Sequence, residues 1–196
     1  MTNIIKLSVI FFLVVMKANA GLLDEVEKAN MLGKVLVRTD LKVLEFNDFA
    51  EDYLGRPTHV AIFGKKNKQT LEIEFEPYGM ASRDYEPYLH FVTKHVDRYI
   101  EHIEKYLRWQ KMALETGDAF GKAIGKAKST FGLGHKYSFW SGNEKSHYLV
   151  IEACSLGSCD QGSFYFDKMN TMILFELLRK FKSGELPPED VSEKYN

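Results

Sequence analysis

One stripe constrains this chain more than any other feature. Leu89, Val92, Val96, Tyr99, Ile100, Ile103, Leu107 and Leu114 recur at helical spacing, which puts them on one side of an amphipathic helix. Asp84 supplies an N-cap, Pro87 suits the first turn, and Thr116-Gly117 supplies a stop. Some thirty residues at 1.5 Å each make a helix of about 45 Å. That exceeds the width of a domain of this size, so the helix is expected to be the spine of the fold, to kink or to project.

The elements around it read as strands and one closing helix. Thr58 to Phe63 and Thr70 to Glu76 form a hairpin, and in its second arm Leu71, Ile73 and Phe75 alternate with Glu72, Glu74 and Glu76. A period of two sends the apolar three to the core and the three glutamates to water. Lys136 to Trp140 and Ser146 to Cys154 flank a turn at Ser141 to Lys145, and Ser163 to Phe166 follows as a further strand. Asp167 caps a last helix with Ile173, Leu174, Leu177, Leu178 and Phe181 inward, ended by Gly184. Leu22 to Ala29 suits a short helix, Asn47 an N-cap for another ending near Gly55, and Asp118 a third through residues 119–128. Residues 35–46 fit strand or helix equally. The sum is an α+β domain, with an antiparallel sheet of about five strands packed against a long central helix and a C-terminal helix.

Residues 1–20 stand apart. One positive charge in Met1 to Lys6, a ten-residue run from Leu7 to Met16 interrupted only by Ser8, and Ala18-Asn19-Ala20 make the three-part layout of a signal peptide. The run is about half of the roughly 20 residues a membrane span needs. The expected organisation is a signal peptide over 1–20, a single domain over 21–184 and a flexible acidic tail over 185–196. The expected location is periplasmic or extracellular, with no transmembrane segment in the mature chain. Removing 1–20 takes away Lys6 and Lys17 and no acid, leaving 24 basic against 27 acidic side chains, net −3. In an oxidising compartment Cys154 and Cys159 are expected to form a disulfide.

Composition then narrows function. With 26 basic and 27 acidic side chains in 196 residues, 45% of them hydrophobic, disorder and a nucleic-acid partner are both disfavoured. Gly117, Gly121 and Gly125 with Lys122 and Lys126 suggest a phosphate loop, but the glycine spacing is short by one and alanine follows each lysine. Their expected role is close packing in a helix or a flexible elbow, with a mobile functional loop as the alternative. His95 and His102 lie seven residues apart, about 10.5 Å along a helix, too far to share a metal ion. Glu72, Glu74 and Glu76, about 6.6 Å apart in succession, have the spacing of a glycosidase pair, yet alternation in a strand accounts for them. Nucleophile motifs are missing, and no cofactor is expected.

The expectation is a non-enzymatic binding module for a protein partner, inhibitor- or immunity-like. Its contact surface is expected on the aromatic flank of the long helix and the lysines that follow: Tyr88, His95, Tyr106, Trp109, Lys122, Lys126 and Lys128. Between Ala119 and Asn143 there are four lysines and no acid, and Lys65, Lys66 and Lys68 form a second basic cluster. An anionic envelope lipid or glycan is therefore the alternative partner, engaged through residues 117–131. A third reading, an unrecognised hydrolase, requires Glu72 or Glu74 to meet a histidine in a concave pocket.

Overall fold

The computed structural model describes residues 34–64, 68–78, 87–130, 132–155, 158–159 and 162–186. The expected signal peptide, the helix at 22–29, Lys65, Lys66 and most of the acidic tail lie outside these residues. All elements below belong to one compact unit, Val35–Asn196.

Among the described residues, ten strands form two antiparallel sheets rather than one sheet of five. β1 (Val35–Leu36), β4 (Thr58–Phe63), β5 (Thr70–Phe75) and β6 (Tyr88–Val92) lie in that order in the first. The second runs β3 (Asp52–Gly55), β2 (Leu44–Asn47), β10 (Ser163–Phe166), β9 (His147–Ser155), β8 (Leu133–Ser141), β7 (Gly121–Lys128). Two helices among the described residues, α1 (Val96–Thr116) and α2 (Lys168–Ser183), pack with the sheets. A single core joins all four: Ile73 and Phe91 from one sheet, Phe139 and Ile151 from the other, Tyr99 and Ile103 from α1, Leu174 and Leu178 from α2. Residues 35–46, open to either reading, supply β1 and most of β2.

The long helix is shorter than its stripe. Residues 88–92 form β6, a 3-10 turn covers Thr93–His95, and α1 begins at Val96. Leu89 and Phe91 are fully buried while Tyr88, His90 and Val92 are not, which is a period of two. Leu89, Val92 and Val96 also fit a helical period, so the apolar stripe ran through a strand unmarked. Twenty-one residues span about 32 Å, and the spine no longer outgrows its domain.

Three further expectations change. Asn47 does cap, with its Oδ1 accepting from the Phe49 and Ala50 amides, but Glu51 turns to φ 51° and the chain returns as β3. The same side-chain chemistry opens helices and tight turns. Residues 121–128, expected as helix, are β7, paired along β8 with a bulge between Ala123 and Gly125. A Cβ on Gly125 would lie 2.5 Å from His102 Cε1, so its glycine admits an imidazole ring rather than a helix backbone. Glu72, expected in water, is only 7% exposed: β5 lies between β4 and β6, and Glu72 faces Ala61 on one side and His90 on the other.

Local signals held at the chain's end. Asp167 accepts from the Asn170 amide to start α2, and Gly184 ends it at φ 73°. Cys154, near the end of β9, is disulfide-bonded to Cys159, and the two straddle the Ser155–Ser158 bridge. Closing so short a loop stabilises by roughly 2 kcal/mol in the chain-entropy account. Urea unfolding with and without a phosphine reductant is expected to show a loss of that size, with the fold retained.

Candidate functional site

The helix flank and its lysines separate once folded. Tyr99, His102, Lys105 and Trp109, three or four residues apart, form the face of α1 that lies along β7. Tyr99 Oη donates to the Lys128 carbonyl at 2.6 Å, and Lys105 Nζ to that of Ile124 at 3.0 Å. His102 Nε2 meets the Lys126 carbonyl at 3.2 Å. The Lys105 and Lys122 ammonium groups stand 4.9 and 5.2 Å from the Trp109 ring centroid, a cation–π arrangement. Of the β7 lysines Lys122 alone meets Trp109; all three are exposed, but Lys122 lies opposite the inward Phe139, whereas Lys126 and Lys128 lie opposite Lys136 and Gly134, alternating with the inward Tyr137 and His135. Tyr106 does not join them: it is fully buried, and its hydroxyl donates to the His147 carbonyl at 2.8 Å. Burial pushes its phenol pKa up. Tyr88 sits on β6 in the other sheet, its ring 4.6 Å from that of His90, and His95 is half-buried in the 3-10 turn.

A larger aromatic surface lies elsewhere, assembled from residues the sequence reading did not single out. On β8, Tyr137 and Phe139 turn inward while Trp140 turns out, opposite Tyr148 of β9. Tyr53 of β3 is the centre of the group. Its ring lies 4.6 Å from Tyr148, 4.9 Å from Tyr165, 5.3 Å from Phe46 and 5.6 Å from Trp140. Leu44 and Val150 underlie it as a small core separate from the main one. Burial, with Tyr165 as neighbour, pushes the Tyr53 phenol up; Tyr148 is raised by burial and then by the nearby Asp52 and Asp167 carboxylates. At the tip of the β2–β3 hairpin Phe49 is 99% exposed, and Phe46 and Trp140 are also well exposed. A phenyl ring standing wholly in water forgoes the roughly 1.5–3 kcal/mol that burial yields.

Tyr148 also belongs to a neighbouring cleft of about 540 Å³, within the usual range for small-ligand pockets. The end of the β8–β9 hairpin, Gln110 of α1 and the first turns of α2 form its walls. Gln110 Oε1 and His147 Nε2, both buried there, have no hydrogen-bond partner within the protein. His147 Nδ1 lies 2.8 Å from Ser141 Oγ, and burial lowers the imidazole pKa. Met169 and Met172 line the cleft on α2, 71% and 52% exposed.

The hydrolase reading finds its two groups together but not its pocket. His90 Nε2 and Glu72 Oε2 meet at 2.8 Å. The crevice beside His90, bounded by Tyr88, Ser129, His135 and Cys154, holds about 40 Å³, room for a water molecule rather than a substrate. Ser129 Oγ is committed to the His90 carbonyl. Among the described residues no three His, Cys, Asp or Glu side chains gather as a metal site. No protein-family model matches the chain, and comparison with curated proteins and with solved structures likewise gives no match.

Proposed function

We propose that the protein is an exported, non-enzymatic binding module that engages a protein partner through the aromatic outer face of the six-stranded sheet. The observation that carries this reading is Phe49, an apolar ring held out on a hairpin whose base is the Phe46–Tyr53 pair. Protein interfaces draw most of their energy from a few aromatic anchors set in a patch that excludes water. Tyr53, Tyr148 and Tyr165 brace one another, so their ordering is complete before binding. Two observations fit export: the disulfide, and the fact that no helix among the described residues is long and apolar enough to cross a membrane. The lysine strand suits a lipid surface less well, because Ile124 and Ala127, its apolar residues, are buried in the core.

Phe49→Ala combined with Trp140→Ala is expected to weaken the partner complex by at least about 2 kcal/mol per anchor, roughly thirtyfold each. Immobilised full-length protein is challenged with envelope extract, and the retained partner is titrated against both variants. Lys122→Ala with Lys126→Ala should leave binding within a few-fold. The opposite ranking would move the interface to β7, and salt-sensitive flotation with anionic vesicles would replace the protein partner with lipid.

A further inference from the structure

We propose that Met169, Met172 and His147 form a binding site for the soft monovalent cation Cu(I) in the cleft between the β8–β9 hairpin and the start of α2. Met169 and Met172 stand three apart on α2, hence side by side on one face. Thioether sulfur is polarisable and a weak hydrogen-bond acceptor, so two exposed methionines gain little from water. His147, whose buried Nε2 has no hydrogen-bond partner within the protein, is a further residue on the cleft wall.

The ring carrying that nitrogen is already held. Its other nitrogen lies 2.8 Å from Ser141 Oγ, and the ring packs at 5.3 Å against Phe139. Metal-binding imidazoles are oriented by such a contact on the far nitrogen. In the tautomer that ligates, Nδ1–H donates to Ser141 and Nε2 presents its lone pair.

The donor set selects the ion. Two soft thioethers select Cu(I), which an imidazole also suits, whereas Mg²⁺, Ca²⁺ and Mn²⁺ prefer oxygen. Asp167, the carboxylate on the cleft wall, is engaged through Oδ1 with the Asn170 amide and side chain. Lys145 and Lys168 on the walls oppose a divalent charge more than a single one. The chain's two cysteines are joined to each other, so no thiolate competes for a soft ion.

The test is an anaerobic titration of the full-length, disulfide-intact protein with Cu(I) held by bicinchoninate, using ascorbate so that the disulfide survives. The protein is expected to withdraw one equivalent of Cu(I) from the chelator. Met169→Leu with Met172→Leu preserves volume at exposed positions, so its thermal transition should match the parent. Its Cu(I) affinity should fall by more than the 10–100-fold that loss of an outer-shell partner costs, about two orders of magnitude or beyond. His147→Gln should also weaken binding, and Met112→Leu, an exposed methionine on α1 outside the cleft, should not. Failure to withdraw Cu(I), or equal withdrawal by the double variant, overturns the site. Stoichiometric displacement of Cu(I) by Zn²⁺ overturns its assignment to a soft ion.

Discussion

Lowering the pH from 7 to 4 is expected to cost this protein several kcal/mol of stability, with His135 alone supplying about 1.4 kcal/mol per pH unit below its unfolded pKa near 6.5. His135 is buried against Phe91, Tyr99 and Tyr137, and burial, then the neighbouring His90, lowers its pKa to about 3. The sign follows from which state takes the proton. Above pH 6.5 folded and unfolded chains both hold the neutral ring, and the contribution to stability is complete. Below 6.5 the unfolded chain gains a proton that the folded one refuses, so stability drains away as the pH falls toward about 3. His102 and His147 are shifted the same way by burial and steepen the loss. Urea unfolding at pH 7, 6, 5 and 4, compared with His135→Gln, isolates the effect. The glutamine can still bond the Tyr137 hydroxyl, which lies 3.3 Å from His135 Nδ1. The variant's stability should decline less steeply, by about 1.4 kcal/mol per unit; parallel profiles would place the acid sensitivity elsewhere.

The second large effect is expected at Phe139. Its buried ring stacks on Phe120 at 4.6 Å and meets Tyr106 at 5.6 Å, Trp109 at 6.2 Å and His147 at 5.3 Å. One side chain on β8 thus holds α1, the approach to β7 and the floor of the cleft. Phe139→Ala is expected to destabilise by about 3–5 kcal/mol, a fall in Tm of roughly 6–20 °C for a domain of this length. Leucine at the same position should recover a large part of the loss, and thermal unfolding by circular dichroism measures both. A change under about 1 kcal/mol in the alanine variant would mean the ring cluster collapses onto the gap.

What could be read from the sequence was what short-range chemistry decides. Asp167, Gly184, the turn at Ser141 to Lys145 and the cysteine pair each act within a few residues of themselves, and each does what its local pattern indicates. Period failed where two periods coincide, as through Leu89, Val92 and Val96. It failed again at residues 121–128, where alanine and glycine carry little preference and pairing with β8 decides the outcome. Tyr106 was placed at the surface because a stripe's border cannot be distinguished from its centre without knowing what packs there. The aromatic face draws on β2, β3, β8, β9 and β10, whose adjacency is a matter of strand order. One signal was available: Tyr137 and Phe139 alternate with Ser138 and Trp140, so that strand carries aromatic rings on both faces.

The three side chains of α1 that reach the carbonyls of Ile124, Lys126 and Lys128 tie the sheet's exposure to the order in which elements form. A chain that pairs β7 with β8 before α1 docks presents those acceptors to any neighbouring chain, and at high concentration a second molecule competes with the helix for them. Helix docking thus acts as an intramolecular chaperone for this edge. Refolding yield should fall with concentration more steeply in Tyr99→Phe, which lacks the hydroxyl that closes the last of the three.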